Sequence, residues 1–173
     1  MIQTVLEERF HLRVHRETRE FAVFNLFFAT YGKLPESHAG SCLEVDLATP
    51  PAAKPTLPYC GAIMFGPAQP TGVQLIGTGV RTSQLAFRLT DILGRHVIDK
   101  TGFTRAFDLH LKFALDDAVH GVPAEENRTD AADPSSPPSI FTALRNQLGL
   151  KLEAGKGPVE VLIIDAIDRP SGN

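Results

Sequence analysis

The chain has 173 residues, 43% of them hydrophobic and 21% charged, a balance that suits one globular domain with a real core and excludes disorder throughout. A formal charge of −3 provides no basic face for phosphates, which argues against a nucleic-acid partner. The longest apolar run is about half of the roughly 20 residues that cross a bilayer, and no basic-then-apolar leader opens the chain, so no membrane insertion is expected.

The chain opens inside a helical pattern. Ile2, Leu6 and Phe10 recur at a spacing of four with no capping residue ahead of them, which reads as a chain trimmed or continued from a longer one. From residue 11 the period becomes two, with Leu12 and Val14 facing one way and His11, Arg13 and His15 the other. The run HRETRE, residues 15–20, reads as a solvated bend between two strands; the alternative makes Arg16 and Arg19 an anion-binding pair. The following run, FAVFNLFF, is apolar enough to be covered on both faces or to sit centrally in a sheet.

Residues 33–70 are rich in proline, which fixes φ and removes a donor, so a long loop is expected there. Cys42 and Cys60 lie in it. They read equally well as a disulfide that tacks down the loop of an exported protein, or as two free thiols if the protein is not exported. Residues 60–65 form a candidate short strand. Residues 72–79 form another, leading to Thr82 and Ser83 as the cap of a helix.

The central stretch, TSQLAFRLTDILGRHVIDKTGFTRAFDLHLKFAL, places Leu85, Leu89 and Leu93 on one helix face and ends the helix at Gly94. Strands at 96–98 and 107–113 follow, joined by a turn at 100–102. Residues 116–138 are polar, with several prolines, and read as a surface linker. Within it, Asn127-Arg128-Thr129 matches a glycosylation acceptor, a common chance match. Ser136 before Pro137 and Pro138 reads as a helix start. The last segment, SIFTALRNQLGLKLEAGKGPVEVLIIDAI, repeats the grammar: Ile140, Leu144 and Leu148 on a helix, a stop at Gly149, then strands at 150–153 and 159–164. The expected fold is α+β: a single domain over residues 1–173 with repeated helix-plus-β-hairpin units, about 1–30, 72–115 and 136–168, on a shared, mostly antiparallel sheet with helices on one face.

Candidate chemistry is sparse. Asp99-Lys100-Thr101-Gly102 reads as a turn whose glycine takes positive φ and whose aspartate bonds the backbone. His11 and His15 share a strand face about 13 Å apart, too far for one ion. His96 and His110 could meet across the central hairpin. With no cysteine or carboxylate cluster at ligand spacing, no metal and no cofactor are expected. Asp99, Asp108 and Asp165 at strand ends read as solvated edges. The candidate binding residues are therefore Arg16, Arg19, His96 and His110.

The segments RFHLRVHRETREFAVFNL, LGRHVIDKTGFTRAFDLHLKF and PSIFTALRNQLGLKLEAGKGPVEVLIIDAIDRPSGN resemble, in this order, a soil-associated acidobacterial family of uncharacterised proteins, the domain of unknown function numbered 3738. The resemblance implies an exported protein without an established activity. Some members resemble the C-terminal part of larger sensor-type membrane metallopeptidases, and members usually carry an upstream half and a signal sequence. The helix, stop and strand pattern is also similar to the short N-terminal domains of secretins and TonB-dependent receptors, which implies envelope docking. The leading expectation is a noncatalytic extracytoplasmic protein-interaction or sensor-associated module with an envelope protein partner. The alternative is a hydrolase-type enzyme acting on an anionic substrate between units.

Overall fold

The structure, a computed structural model, describes residues 2–45, 55–67, 72–115, 119 and 137–169. Most of the polar linker, the Asn127 triplet, Ser136 and the last four residues lie outside the described residues, as do parts of the proline-rich stretch. Among the described residues, three helices and six strands follow in the order α1 (Ile2–Phe10), β1 (Arg13–Phe28), β2 (Ile63–Phe65), β3 (Val73–Val80), α2 (Thr82–Leu93), β4 (Val97–Asp99), β5 (Phe107–Phe113), α3 (Ile140–Ala143, widening to a π turn over Leu144–Leu148) and β6 (Leu150–Ala166). The fold is α+β with two three-stranded sheets, ordered β4-β1-β6 and β2-β3-β5. Two compact units divide the chain: Met1–Ala22 with Lys156–Asn173, and Val23–Gly155.

The larger unit holds the core. Helix α2 buries Leu85, Ala86, Leu89, Ile92 and Leu93 against Leu75 of β3 and Phe107, Leu109, Leu111 and Phe113 of β5, in one cluster with Ile140, Leu144 and Leu148. Each large apolar side chain removed from water contributes on the order of 1.5 to 3 kcal/mol before ordering entropy. Polar bonds fix where the helix sits. Thr90 Oγ1 donates to Ala86 O and accepts from Val97 N (3.0 and 2.9 Å), and Thr82 Oγ1 donates to Asp99 Oδ2 (2.6 Å). Both ends of α2 are thereby tied to β4. Asp99 Oδ1 also accepts from Thr101 N and Thr101 Oγ1 (2.9 and 2.7 Å), so Asp99-Lys100-Thr101-Gly102 is a turn held by its own aspartate.

Helix ends follow local chemistry. Gly94 and Gly149 both take left-handed φ, 59° and 66°, after α2 and the α3 π turn, where only glycine avoids a Cβ clash. At the start of α3 the cap is Ser139, whose Oγ accepts from Thr142 N, three residues beyond the expected Ser136. At α2 the cap is Arg81, one residue ahead of the expected Thr82 and Ser83. Its N–H donates to Gln84 Oε1 (2.8 Å), which satisfies one orphan donor of the first turn.

In the smaller unit α1 ends at His11, which takes φ 47°, and Leu12 N donates back to Leu6 O (3.4 Å). The strain at His11 is thus that of a helix cap carried by a residue other than glycine. Across the ribbon of β1 and β6 there, His15 Nδ1 lies 2.9 Å from the Asp165 carboxylate and Arg16 pairs with Glu160 (2.6 Å), all exposed. Leu6 and Phe10 are only half-buried. None of the buried hydrophobic residues among those described belongs to this unit.

The repeated helix-plus-hairpin units are corrected at all three places. HRETRE lies inside the continuous 16-residue strand β1. Its polarity comes from exposure, and it contains no glycine, proline or asparagine to enforce a turn. The run AGKGP lies inside the 17-residue strand β6, which occupies a sheet edge, where proline and glycine are tolerated. The turn after β4 does not fold the chain back. Strand β4 instead pairs parallel with β1, Phe24↔Val97 through Leu26↔Asp99, while β5 pairs antiparallel with β3 in the other sheet. The apolar run in β1 is central in its sheet, as its pattern implies.

Chemical denaturation of two variants checks the helix ends. Gly94→Val lowers stability by more than about 1 kcal/mol, whereas His11→Gly leaves it unchanged or higher by up to about 1 kcal/mol. A neutral Gly94→Val or a destabilising His11→Gly would contradict the left-handed assignments.

Candidate functional site

The residues singled out by sequence do not converge. Arg16 is exposed and pairs with Glu160 (2.6 Å); Arg19 is exposed and pairs with Glu17 two residues away on β1 (2.8 Å). The hydrogen bond from Arg19 holds the Glu17 carboxyl below its ordinary value and raises that of Arg19. Because the Glu17 value is lowered, this local attraction is present at neutral pH and is lost as pH falls through the lowered value. Both arginines therefore already face carboxylates. His96 precedes β4 and His110 lies on β5, both exposed, and those strands belong to different sheets. No hairpin brings them together.

Two clefts stand out. One, of about 750 Å³, belongs to the smaller unit and is lined by residues that include Glu7, His11, Arg13, Asp165 and Asp168. His11 reaches Asp168 at 3.2 Å, but their side chains are 74% and 69% exposed, and a pair so exposed is worth about 0 to 1 kcal/mol. The helix closure at His11 accounts for its geometry. The other, of about 440 Å³, lies in the larger unit between α2 and β2, lined by Gly61, Ile63, Ser83, Gln84, Phe87, Arg88 and Asp91. Neither contains Arg16, Arg19, His96 or His110. Among the described residues, no group of three or more histidine, cysteine or acidic side chains stands at metal-holding geometry.

The second cleft is built by three constraints. A disulfide joins Cys42 and Cys60. Beside it Leu43 N donates to Pro58 O and Cys60 N to Leu43 O (2.8 and 2.9 Å), and Gly61 N then donates to Thr78 O (2.9 Å), delivering the chain to β2. Second, β2 runs antiparallel to β3 in the register Met64↔Ile76, with Gly66 N donating to Gln74 O (2.7 Å). Hydrogen-bonding direction alternates along an antiparallel strand, so Met64 turns its N–H and C=O to β3 while Ile63 and Phe65 turn theirs to the outer edge. Third, the buried stripe of α2 leaves its other face, with Ser83, Phe87 and Arg88, beside that edge. Phe87 is 72% exposed, and the Arg88 guanidinium lies 4.6 Å above the Phe65 ring.

The edge of β5 is handled in the opposite way. Ser37 N donates to Ala106 O and Asp108 N to Pro35 O (3.1 and 2.9 Å), and Ala114 N donates to Pro138 O (2.8 Å). Between them the Gln147 amide acts as a missing strand, accepting from Lys112 N and donating to Lys112 O (3.0 and 2.8 Å). Among the described residues, no such backbone bond covers the outer groups of Ile63 and Phe65. Sequence reasoning did not single out Gln84, Phe87, Arg88 or Gln147. Phe87 alone carried a local signal, an aromatic side chain off the apolar stripe of its helix.

A family model described as "Protein of unknown function (DUF3738)" matches residues 1–167. The chain belongs to this family. Comparison of this DUF3738 chain with curated proteins and with solved structures gives no match. No helix among the described residues is long and apolar enough to cross a membrane.

Removing the disulfide tests the first constraint. With its cysteines 18 positions apart in sequence, the Cys42→Ser/Cys60→Ser double variant loses about 3 kcal/mol in equilibrium unfolding. A loss below about 1 kcal/mol would show that the loop is held without it.

Proposed function

We propose that the chain is a noncatalytic extracytoplasmic protein-interaction module that accepts an extended segment of a partner on the outer edge of β2, beside α2. The observation that carries this reading is the outward direction of the Ile63 and Phe65 backbone groups on a strand edge whose Ile63 lines a groove walled by a helix, the arrangement used in strand addition. Main-chain hydrogen bonds supply affinity in that mode, and alternate side chains reaching the helix supply selectivity. The disulfide supports an oxidising compartment outside the cytoplasm. An envelope protein remains the natural partner, and a sensor-associated role fits the same geometry.

A tagged chain incubated with an envelope extract retains a partner, and the partner slows amide exchange at Ile63 and Phe65 by at least about tenfold, the change expected when open edge amides enter a ladder. Retention of nothing above background, or protection confined to other strands, would contradict the proposal.

A further inference from the structure

Resting on the reading of β2 as a docking edge, we infer that the groove selects an extended segment bearing a carboxylate side chain, seated on Arg88, with an apolar side chain two positions away against Phe87. Arg88 carries the argument. Its Nε is buried and has no hydrogen-bond partner among the described residues. Its one recorded carboxylate, Asp91, stands at 3.7 Å, beyond hydrogen-bonding distance. That Nε is closed to solvent, but the side chain as a whole keeps 28% exposure, and a carboxylate from an incoming strand accepts from the Nη donors, which Asp91 approaches only to 3.7 Å. The Phe65 ring beneath Arg88 fixes the plane of that fork.

Spacing sets the second position. Ile63 and Phe65 pack toward the core while Met64 is exposed, so the α2 side of β2 is the face of its odd-numbered residues. A strand added to that edge presents its i and i+2 side chains to the same face, about 7 Å apart. When one reaches Arg88, its neighbour on that face lies over Phe87 and Ile63, where 72% of Phe87 is exposed. The recognised pattern is acidic, any residue, apolar. Asp91 lines the same groove and repels an acidic ligand.

Fluorescence anisotropy with three capped heptapeptides tests this. One alternates apolar residues around a central glutamate, one has glutamine there, and one keeps the glutamate but is N-methylated at alternate amides. The glutamate peptide binds about tenfold tighter than the glutamine peptide. Arg88→Gln removes that difference without changing affinity for the glutamine peptide, Arg88→Lys restores part of it, and Asp91→Asn tightens the glutamate peptide, each variant retaining a cooperative thermal transition. Equal binding of the glutamate and glutamine peptides overturns the acidic preference and leaves strand docking standing. Binding that survives N-methylation, or binding by none of the three, overturns strand docking itself. Self-association that Phe87→Asp abolishes would assign the groove to a second copy and overturn the peptide ligand.

Discussion

Burial of one face of α2 is the constraint on which the rest of the larger unit depends. Leu85, Leu89 and Ile92 commit the helix to the core, and the threonine bonds at Thr82 and Thr90 fix it to β4 at both ends. Once that stripe is buried, helical periodicity dictates which residues remain outside. Ser83, Phe87 and Arg88 are left beside β2, so the groove is a geometric consequence of core packing together with the register of one three-residue strand.

Sheet edges supply the second layer of the account. Each outer strand presents backbone donors and acceptors that must be paired, covered or left open to water. Around β5 the chain uses three separate devices, the segment at Pro35 and Ser37, the carbonyl of Pro138 and the side-chain amide of Gln147. Strand β6 carries Pro158, which has no N–H to donate to an added strand. At β2 the backbone groups of Ile63 and Phe65 instead point outward, and Ile63 lines a groove with an arginine whose Nε is buried and unpaired among the described residues.

Much of the secondary structure was legible because its signals are local. The stripe Leu85, Leu89, Leu93 and the left-handed glycines at 94 and 149 involve a few neighbouring residues, and the apolar run of β1 reports directly on a central strand. Strand pairing is a different kind of information. Nothing near Asp99 says that β4 joins β1 in parallel while β5 joins β3, because the choice is made by residues more than seventy positions apart for one pair and about thirty for the other. Polarity misled at HRETRE, and the glycines and proline of AGKGP misled in β6. The candidate site was largely illegible for the same reason: Arg88 becomes distinctive only when Phe65 and the strand edge lie next to it. Cys42 and Cys60 were visible as a possible pair, but their effect on β2 was not.

The most direct measurement is isotope-edited NMR of the chain bound to the glutamate-containing peptide, read for contacts between peptide α-protons and protein amides. The account predicts cross-strand contacts to the amides of Ile63 and Phe65, together with contacts from the glutamate side chain to Arg88. Contacts to β6, or to the cleft that holds His11, with none at Ile63 and Phe65, would contradict it.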